Sequence, residues 1–443
     1  MTEVAKKFNK KPSDPAFIML KKRLKNDILK ILVWEEKAKT FTSKFHESKY
    51  KSRLMILEAG ILMARGLPQL AEESLQKARK IVTHYELTSE SIIIHDELQA
   101  LIGLKQGLAT YKLYTNNNLV NFDTIKEEFL AQDYFKKLVM PNLFFVGKEL
   151  NYKEKSAEAT QELKFLSEKN PSVQIKYWYL RSEIYYNHLI SDYPTALSSA
   201  EQFLQLVQES PVYYSKDNLG GAYMQLAIIH IYLSNYTKAE QYADESTGYF
   251  VKGSINQLNA YDVKFSSSLN GRKFDRAWEI LKTVHEFKSL KTKTLLAARW
   301  TYYEANLLFV QNQFADALAM LQQQSDLMGD RSGWRIGYKI LEMMCIIELD
   351  HLDWLDYRIE TFRKLLGDLK KENIARPKLI FQLLKNFIKT GYDFKQTTEK
   401  TKEHLDLLNA NEDDFEWDPR GSEVIRFDTW WQKKMHQKVN VRV

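Results

Sequence analysis

Few residues in this sequence could perform chemistry, and their spacing assembles no familiar reactive site. A metal site on a helix needs two histidines three or four positions apart, and no pair among the nine histidines has that spacing. The single cysteine, Cys345, excludes an intramolecular disulfide and a thiol-based zinc site. The histidines are His46, His84, His95, His188, His230, His285, His351, His404 and His436. We therefore predict no metal site and no cofactor.

Motifs of the common enzyme classes are missing as well. Neither G-x-x-x-x-G-K-[ST] nor G-x-G-x-x-G occurs, and neither H-E-x-x-H nor G-x-S-x-G occurs either. The dipeptide His95-Asp96 is used by one class of metal phosphohydrolases, but the rest of that pattern is missing, which favours an ordinary surface helix. His230 and Cys345 stand among apolar residues and favour buried structural roles. We predict a protein that has no catalytic residues and is not an enzyme.

The charge of the chain is concentrated at one end. The 443 residues carry a formal net charge of +7, yet residues 1–30 hold nine Lys and Arg against three Asp and Glu, a net +6. A basic end segment is typical of proteins that bind nucleic acid or a membrane surface. The sequence contains neither a signal peptide nor an apolar run of 18 residues, so we expect a cytoplasmic protein without membrane insertion.

The elements that must position any binding residues are helices. Apolar residues recur three and four positions apart, which is helical spacing, and we find no convincing strand. Two such stripes are Phe17, Leu20, Leu24, Ile28 and Ile31, and Leu219, Tyr223, Leu226, His230 and Leu233. The nine prolines fall where this periodicity breaks and mark helix boundaries. The pattern predicts about twenty helices joined by short turns.

A helical hairpin repeats along the chain. Residues 218–243 read as a helix, a short turn and a second helix, and each copy has an aromatic residue three positions before an alanine. The pairs are Tyr193 with Ala196, Tyr236 with Ala239, Phe274 with Ala277, and Phe314 with Ala317. An alanine at a helix crossing lets two backbones approach, and the aromatic ring fills the space between neighbouring hairpins.

These residues resemble the tetratricopeptide-repeat family, although their spacing of 38 to 43 residues exceeds the 34 residues typical of that family. The resemblance implies an all-α, right-handed solenoid of antiparallel helix hairpins with helical caps at both ends. We expect a basic amphipathic N-terminal capping helix at 1–48, degenerate repeats at 49–170, the best-formed repeats at 171–330, degenerate repeats at 331–410, an exposed acidic linker at 411–423 and a C-terminal helix at 424–443.

In such an array the first helix of each hairpin lines a concave groove. The repeat register places six side chains there: Gln225, Asn259, Asp262, Arg299, Tyr302 and Asn306. Amide groups can pair with the backbone of an extended peptide, and Arg299 can pair with a carboxylate. The Lys and Asn set of the carboxylate-clamp members is missing, which disfavours chaperone-tail binding. A solvated face without a specific ligand is the alternative interpretation.

The function that follows is a non-enzymatic scaffold or adaptor that binds a protein or peptide in the groove. One alternative is a regulator of the kind formed by bacterial peptide-sensing tetratricopeptide proteins. Nucleic-acid binding through the basic N-terminal helix is a second alternative and is disfavoured, because that helix also has the apolar stripe of a cap. Near the other end, we expect one of Trp430 and Trp431 to pack on the array and the other to be exposed.

Overall fold

A computed structural model describes residues 11–34, 41, 43–143, 152–288, 290, 294–322, 333–368 and 374–436 of the chain. Every regular element among them is a helix. The helices are α1 (Pro15–Trp34), α2 (Lys44–Ala64), α3 (Pro68–His84), α4 (Thr88–Leu98), α5 (Leu108–Leu143), α6 (Tyr152–Lys169), α7 (Val173–Leu189), α8 (Tyr193–Glu209), α9 (Lys216–Tyr232), α10 (Tyr236–Tyr249), α11 (Ile255–Asn270), α12 (Phe274–His285), α13 (Thr294–Val310), α14 (Phe314–Gln322), α15 (Trp334–Glu348), α16 (Leu355–Asp368), α17 (Ala375–Lys389), α18 (Phe394–Lys400), α19 (Lys402–Ala410) and α20 (Phe427–His436). Short helical turns stand at Gln99–Gly103 (π), Leu104–Gln106 (α), Leu352–Trp354 (3-10) and Asp413–Phe415 (3-10). None of the helices described is both long and apolar enough to cross a membrane.

Helix starts follow from polar caps. Ser172, Ser215 and Ser254 each precede a helix, and their hydroxyl oxygens accept the N–H groups of Gln174, Asn218 and Gln257 at 3.1 to 3.2 Å. These caps satisfy N–H groups that have no partner within the first helical turn.

The same turn closes seven hairpins. In each, a backbone N–H donates to the carbonyl oxygen five residues earlier at 2.8 to 3.0 Å, and the residue before that donor has a positive φ of 57° to 74°. This is the Schellman arrangement, which ends a helix sharply. The positive-φ residues are Gly66, Ser191, Ser234, Arg272, Asn312, Asp350 and Gly391. The turns at Asp350 and Gly391 show the same unit in α15–α16 and in α17–α18, where the sequence pattern is weak.

The cores of the hairpins confirm the alanine pattern. Ala196, Ala239, Ala277 and Ala317 have no exposed surface, as expected where two helices cross closely. Antiparallel helix pairs joined by one kind of turn therefore give a tetratricopeptide-like, all-α array.

The chain divides into two compact units, Met1–Tyr85 and Glu86–Val443. In the first unit, the α2–α3 hairpin buries Ala59, Ala71 and Leu75. The apolar stripe on α1 is expected to be buried, but among its members only Phe17 is buried. Its other members, Leu20, Leu24, Ile28 and Ile31, are exposed. The capping role of α1 thus stays a prediction.

In the second unit, α20 corrects the expectation for the two tryptophans. Trp430 and Trp431 are both buried, with indole N–H groups that donate to Glu348 at 2.7 Å and to Thr398 at 3.0 Å. Adjacent residues point to different sides of a helix, and both sides of α20 are covered by the array. Neither ring is exposed for a partner.

A candidate peptide-binding groove

The connection between α19 and α20 lies across the first helices of successive hairpins. We name residues 411–426 the C-terminal segment, and we name the helix face that it contacts, from the turn after α7 to α17, the groove. The contacts in chain order join Ser191 Oγ to Glu416 (3.1 Å), Tyr232 Oη to Asp418 (2.7 Å), Arg420 Nη2 to Asp262 (3.1 Å) and Tyr302 Oη to the carbonyl oxygen of Ser422 (2.7 Å). The described acidic side chains of the acidic linker from Glu412 to Asp418 are exposed, as the sequence predicts, and hydroxyl groups and a carboxylate of the array also form hydrogen bonds with its polar groups.

Asp262 in α11 is a buried charge in this groove. Its carboxylate accepts hydrogen bonds from Tyr303 Oη at 2.6 Å and from Nη2 of both Arg299 and Arg420 at 3.1 Å. Burial alone would raise the pKa of Asp262, but the two guanidinium groups and Tyr303 lower it below its usual value of 3.8. Arg299 lies over the ring of Trp334, 4.1 Å from the centroid. The array thus positions a buried carboxylate that is already paired with Arg299.

A tight turn presents Arg420 to Asp262. The N–H of Gly421 donates to the carbonyl oxygen of Asp418 at 2.9 Å, and the N–H of Arg420 donates to the Asp418 side chain at 2.8 Å. Pro419 in the second position and Gly421 in the fourth are residues that type I turns favour. The same Asp418 carboxylate accepts the hydroxyl of Tyr232. The turn is therefore formed by its own sequence and also bound by the groove.

Gly337 lets the backbone of the segment approach α15. A β-carbon at this position would overlap the carbonyl group of Ser422 and would lie 2.8 Å from Tyr302 Oη. Glycine inside a helix costs up to about 1 kcal/mol relative to alanine. Its presence here is explained by the close approach of Ser422, whose carbonyl oxygen accepts the buried Tyr302 hydroxyl.

Arg376 in α17 anchors both ends of the segment. Its guanidinium donates to Glu423 through Nε and Nη2, at 2.8 Å in each case, and to Asp428 at 2.6 Å. Nη1 donates to the carbonyl oxygen of Phe415 at 3.0 Å. Burial alone would lower the pKa of Arg376, but Glu423 and Asp428 raise it above its usual value, so the side chain stays charged.

A cavity of about 250 Å³ adjoins Arg420 on the side of α7 and α9. Its lining consists of Phe135, Val139, Arg181, Ile184, Tyr185, His188, Phe203, Gln225, Ile228 and Arg420. Arg181 lies over the ring of Phe135, 4.5 Å from the centroid. Burial lowers the pKa of His188, and Arg420 lowers it further against the opposing effect of Asp418. The C-terminal segment contributes only one side chain here, so this part of the groove has room for another group.

Four of the six groove residues predicted from the sequence lie at this site. Asp262 and Arg299 form an ion pair, Tyr302 holds the backbone of Ser422, and Gln225 lines the cavity. Their contact with a separate partner stays a prediction.

The other two lie elsewhere. Asn259 is exposed and makes no hydrogen bond with the described part of the segment. Asn306 is fully buried, and its amide donates to the carbonyl oxygen of Tyr302 at 2.7 Å. Its side chain turns back onto its own helix, and a role for Asn306 in the groove stays a prediction.

Sequence reasoning missed Tyr232, Gly337, Arg376 and Arg420. Two signals point to them in retrospect: a glycine inside the apolar helix α15, and the turn sequence Asp418-Pro419-Arg420-Gly421 in a connection that otherwise reads as an acidic linker. Among the residues that the structure describes, no three His, Cys, Asp or Glu side chains group in a way that could hold a metal ion.

No protein-family model matches the sequence, and no curated protein matches it. Among solved structures, the chain is similar to yeast Tom70, with a TM-score of 0.40 and 11% identity over 89% of this chain and 96% of that chain. It is also similar to the P58(IPK) TPR domain, with a TM-score of 0.24 and 13% identity over 87% of this chain and 99% of that chain. Similarities of this size say nothing about partners. The repeated hairpin turn and the buried alanines identify the fold as an all-α, tetratricopeptide-like array.

Proposed function

We propose that this protein is a non-enzymatic scaffold that binds a segment of a partner protein or peptide along the groove. One observation carries the proposal: the groove already holds an irregular segment, through contacts to its side chains and to its backbone. A surface that binds one such segment has the hydrogen-bonding groups that a second would need.

The contacts divide into two kinds. Tyr302 binds a backbone carbonyl oxygen, which every peptide has, whereas Asp262 and Tyr232 bind the side chains of Arg420 and Asp418. The first kind supports binding of many sequences, and the second kind selects among them. This combination suits a groove with a defined partner.

The test uses the full chain with the substitutions Asp418→Ala and Arg420→Ala, which we name the opened variant. They remove two contacts of the segment and leave Glu423, Arg376 and α20 unchanged. A fluorescein-labelled peptide with the sequence of residues 412–426 should bind the opened variant saturably in an anisotropy titration.

The matched control adds Gly337→Ala to the opened variant. The new methyl group would occupy the position of the Ser422 carbonyl, so peptide binding should be lost. If the opened variant keeps its helicity but does not bind the peptide, or if Gly337→Ala leaves binding unchanged, the groove is not the binding surface.

A peptide-sensing regulator is a second candidate, and the occupied groove favours it, because an incoming peptide would displace the C-terminal segment. This candidate predicts that saturating peptide shrinks the radius of gyration of the wild-type chain in small-angle scattering. An unchanged scattering profile at saturation would count against it.

Nucleic-acid binding through α1 is the third candidate, and it rests on the exposed side chains of Lys22, Arg23 and Lys25. It predicts salt-dependent binding of a DNA or RNA duplex that is lost when these three residues are replaced by glutamate. Binding that survives the replacement would place the nucleic-acid site elsewhere.

A further inference from the structure

We infer that the groove selects a partner segment that presents an arginine on a tight turn, that Asp262 is the residue that selects it, and that the C-terminal segment competes for the same place. This inference rests on the proposed peptide-binding function and specifies the chemistry of the partner.

The three donor groups around Asp262 come from two parts of the chain. Arg299 and Tyr303 come from α13 and hold this carboxylate from within the array. Arg420 comes from a connecting segment and provides the third donor group. When Arg420 leaves, Asp262 keeps both array partners, so the site persists and can receive another cation. A carboxylate that is already held in place in this way needs little reorganisation on binding.

The side chains around Arg420 determine which kind of cation fits there. Arg420 also lines the cavity, where Ile184 and Ile228 provide apolar walls and Gln225 provides an amide. A guanidinium is flat and weakly hydrated and tolerates such surroundings, whereas the ammonium of lysine is strongly hydrated. The surroundings of Arg420 therefore suit arginine better than lysine.

The turn from Asp418 to Gly421 places successive contacts of the segment along the groove. Asp418 is bound by Tyr232, Arg420 by Asp262, and the carbonyl oxygen of Ser422 by Tyr302, so alternate residues of the segment meet successive helices α9, α11 and α13. Gly421 fits because a β-carbon there would lie only 3.0 Å from the β-carbon of Asp418. The groove thus accommodates an acidic residue, any turn residue, arginine and a small residue in that order.

A partner can bind only if it displaces the C-terminal segment, so the packing of this segment matters. Among the described side chains from Asn411 to Arg426 none is buried, whereas Phe427, the first residue of α20, is fully buried. Phe415, Val424 and Ile425 pack partly buried against the core, and between them residues 416–422 meet the array through polar contacts. Because both ends are tethered, the segment competes at an effective concentration on the order of millimolar. A partner must therefore either bind tightly or arrive when the segment is released.

The experiment compares labelled peptides in anisotropy titrations against the full-length opened variant and the wild-type chain. The probes are the 412–426 peptide, the same peptide with Arg420→Ala or Arg420→Lys, and a scrambled peptide. We expect the Arg420→Ala peptide to bind the opened variant at least about tenfold more weakly than the parent, with the lysine version between them, because a charge-assisted hydrogen bond is lost. The wild-type chain should bind the parent peptide at least about tenfold more weakly than the opened variant does.

The substitution Asp262→Asn in the opened variant should abolish most of the preference for the arginine peptide. If that variant does not fold, as judged by circular dichroism, the comparison of peptides on the opened variant decides alone. Equal binding of the arginine and alanine peptides overturns the selection of arginine while the proposed function stands. Equal binding of the parent peptide by wild type and opened variant overturns the competition, and failure of every peptide to bind overturns the proposed function as well.

Discussion

The carbonyl group of Ser422 occupies the space that a side chain at Gly337 would fill. A residue inside helix α15 and a residue of the C-terminal segment therefore share one small volume, and Tyr302 fixes the arrangement by donating its hydroxyl to that carbonyl at 2.7 Å. The groove and the segment that covers it can thus be separated by adding a single methyl group, without changing any charge.

Gly337→Ala should release the C-terminal segment while the helices remain. Limited trypsin digestion followed by mass spectrometry should show faster cleavage after Arg420 than in the wild-type chain. The matched control is Gly221→Ala in α9, because no atom lies within 4 Å of a β-carbon built there. That change should leave cleavage unaltered and stabilise the chain by roughly 0.5 to 1 kcal/mol. Equal cleavage of both variants would contradict the close approach of Ser422.

Arg376→Met should destabilise the second unit by up to roughly 3 to 5 kcal/mol, because Glu423 and the buried Asp428 lose the cation that they share and Asp428 keeps its pair with Arg426. Urea unfolding followed by circular dichroism measures the loss. Arg363→Met is the control: Arg363 pairs with exposed Glu360, and its replacement should change the midpoint little or not at all. A similar small effect for Arg376 would show that its network contributes little.

Stability should depend on the ionisation of Asp262 in a defined pH range. Because its pKa in the folded chain lies below the usual value of 3.8, the ionised form stabilises the fold, fully so above that value. The stability advantage of the wild-type chain over Asp262→Asn in urea unfolding should be constant between about pH 5 and 7 and should decline below about pH 4. If the stability advantage already disappears near neutral pH, the ionisation of a group other than Asp262 determines it.

The exposure of α1 gives a prediction for the first unit. Leu24 in α1 is 57% exposed and Leu75 in α3 is fully buried, so Leu24→Ser should leave thermal stability nearly unchanged. Leu75→Ala should cost roughly 2 to 5 kcal/mol, because it removes buried methyl groups and leaves a cavity. A large loss from Leu24→Ser would instead support the capping role that the sequence predicts for α1.

The hairpins could be predicted from the sequence because a buried alanine at each helix crossing leaves a periodic trace. The same unit in α15 to α18 is harder to recognise, because neither hairpin there has the aromatic residue three positions before an alanine that marks four of the others. The turn itself gives little help, since its positive-φ position is glycine in only two of the seven hairpins. The pairing of Asp262 with Arg299 lies within reach of the repeat register, as they occupy neighbouring first helices.

The path of the C-terminal segment could not be predicted in this way. Its contacts join residues far apart in the chain, such as Ser191 with Glu416, and no periodicity relates such residues. Burial of both Trp430 and Trp431 could not be predicted for a related reason. Whether α20 is covered on both sides depends on the position of that helix on the array, and the path of the preceding segment determines this position.

The segment also changes how the array can unfold. In a helical solenoid each repeat contacts only its neighbours, so single repeats can open independently. Here the hydrogen bond from Ser191 to Glu416 joins positions 225 residues apart, and the one from Tyr232 to Asp418 joins positions 186 apart. Such contacts form late in folding, because a long loop must close first. We therefore expect opening the groove to weaken the cooperativity of unfolding between the middle and the end of the array.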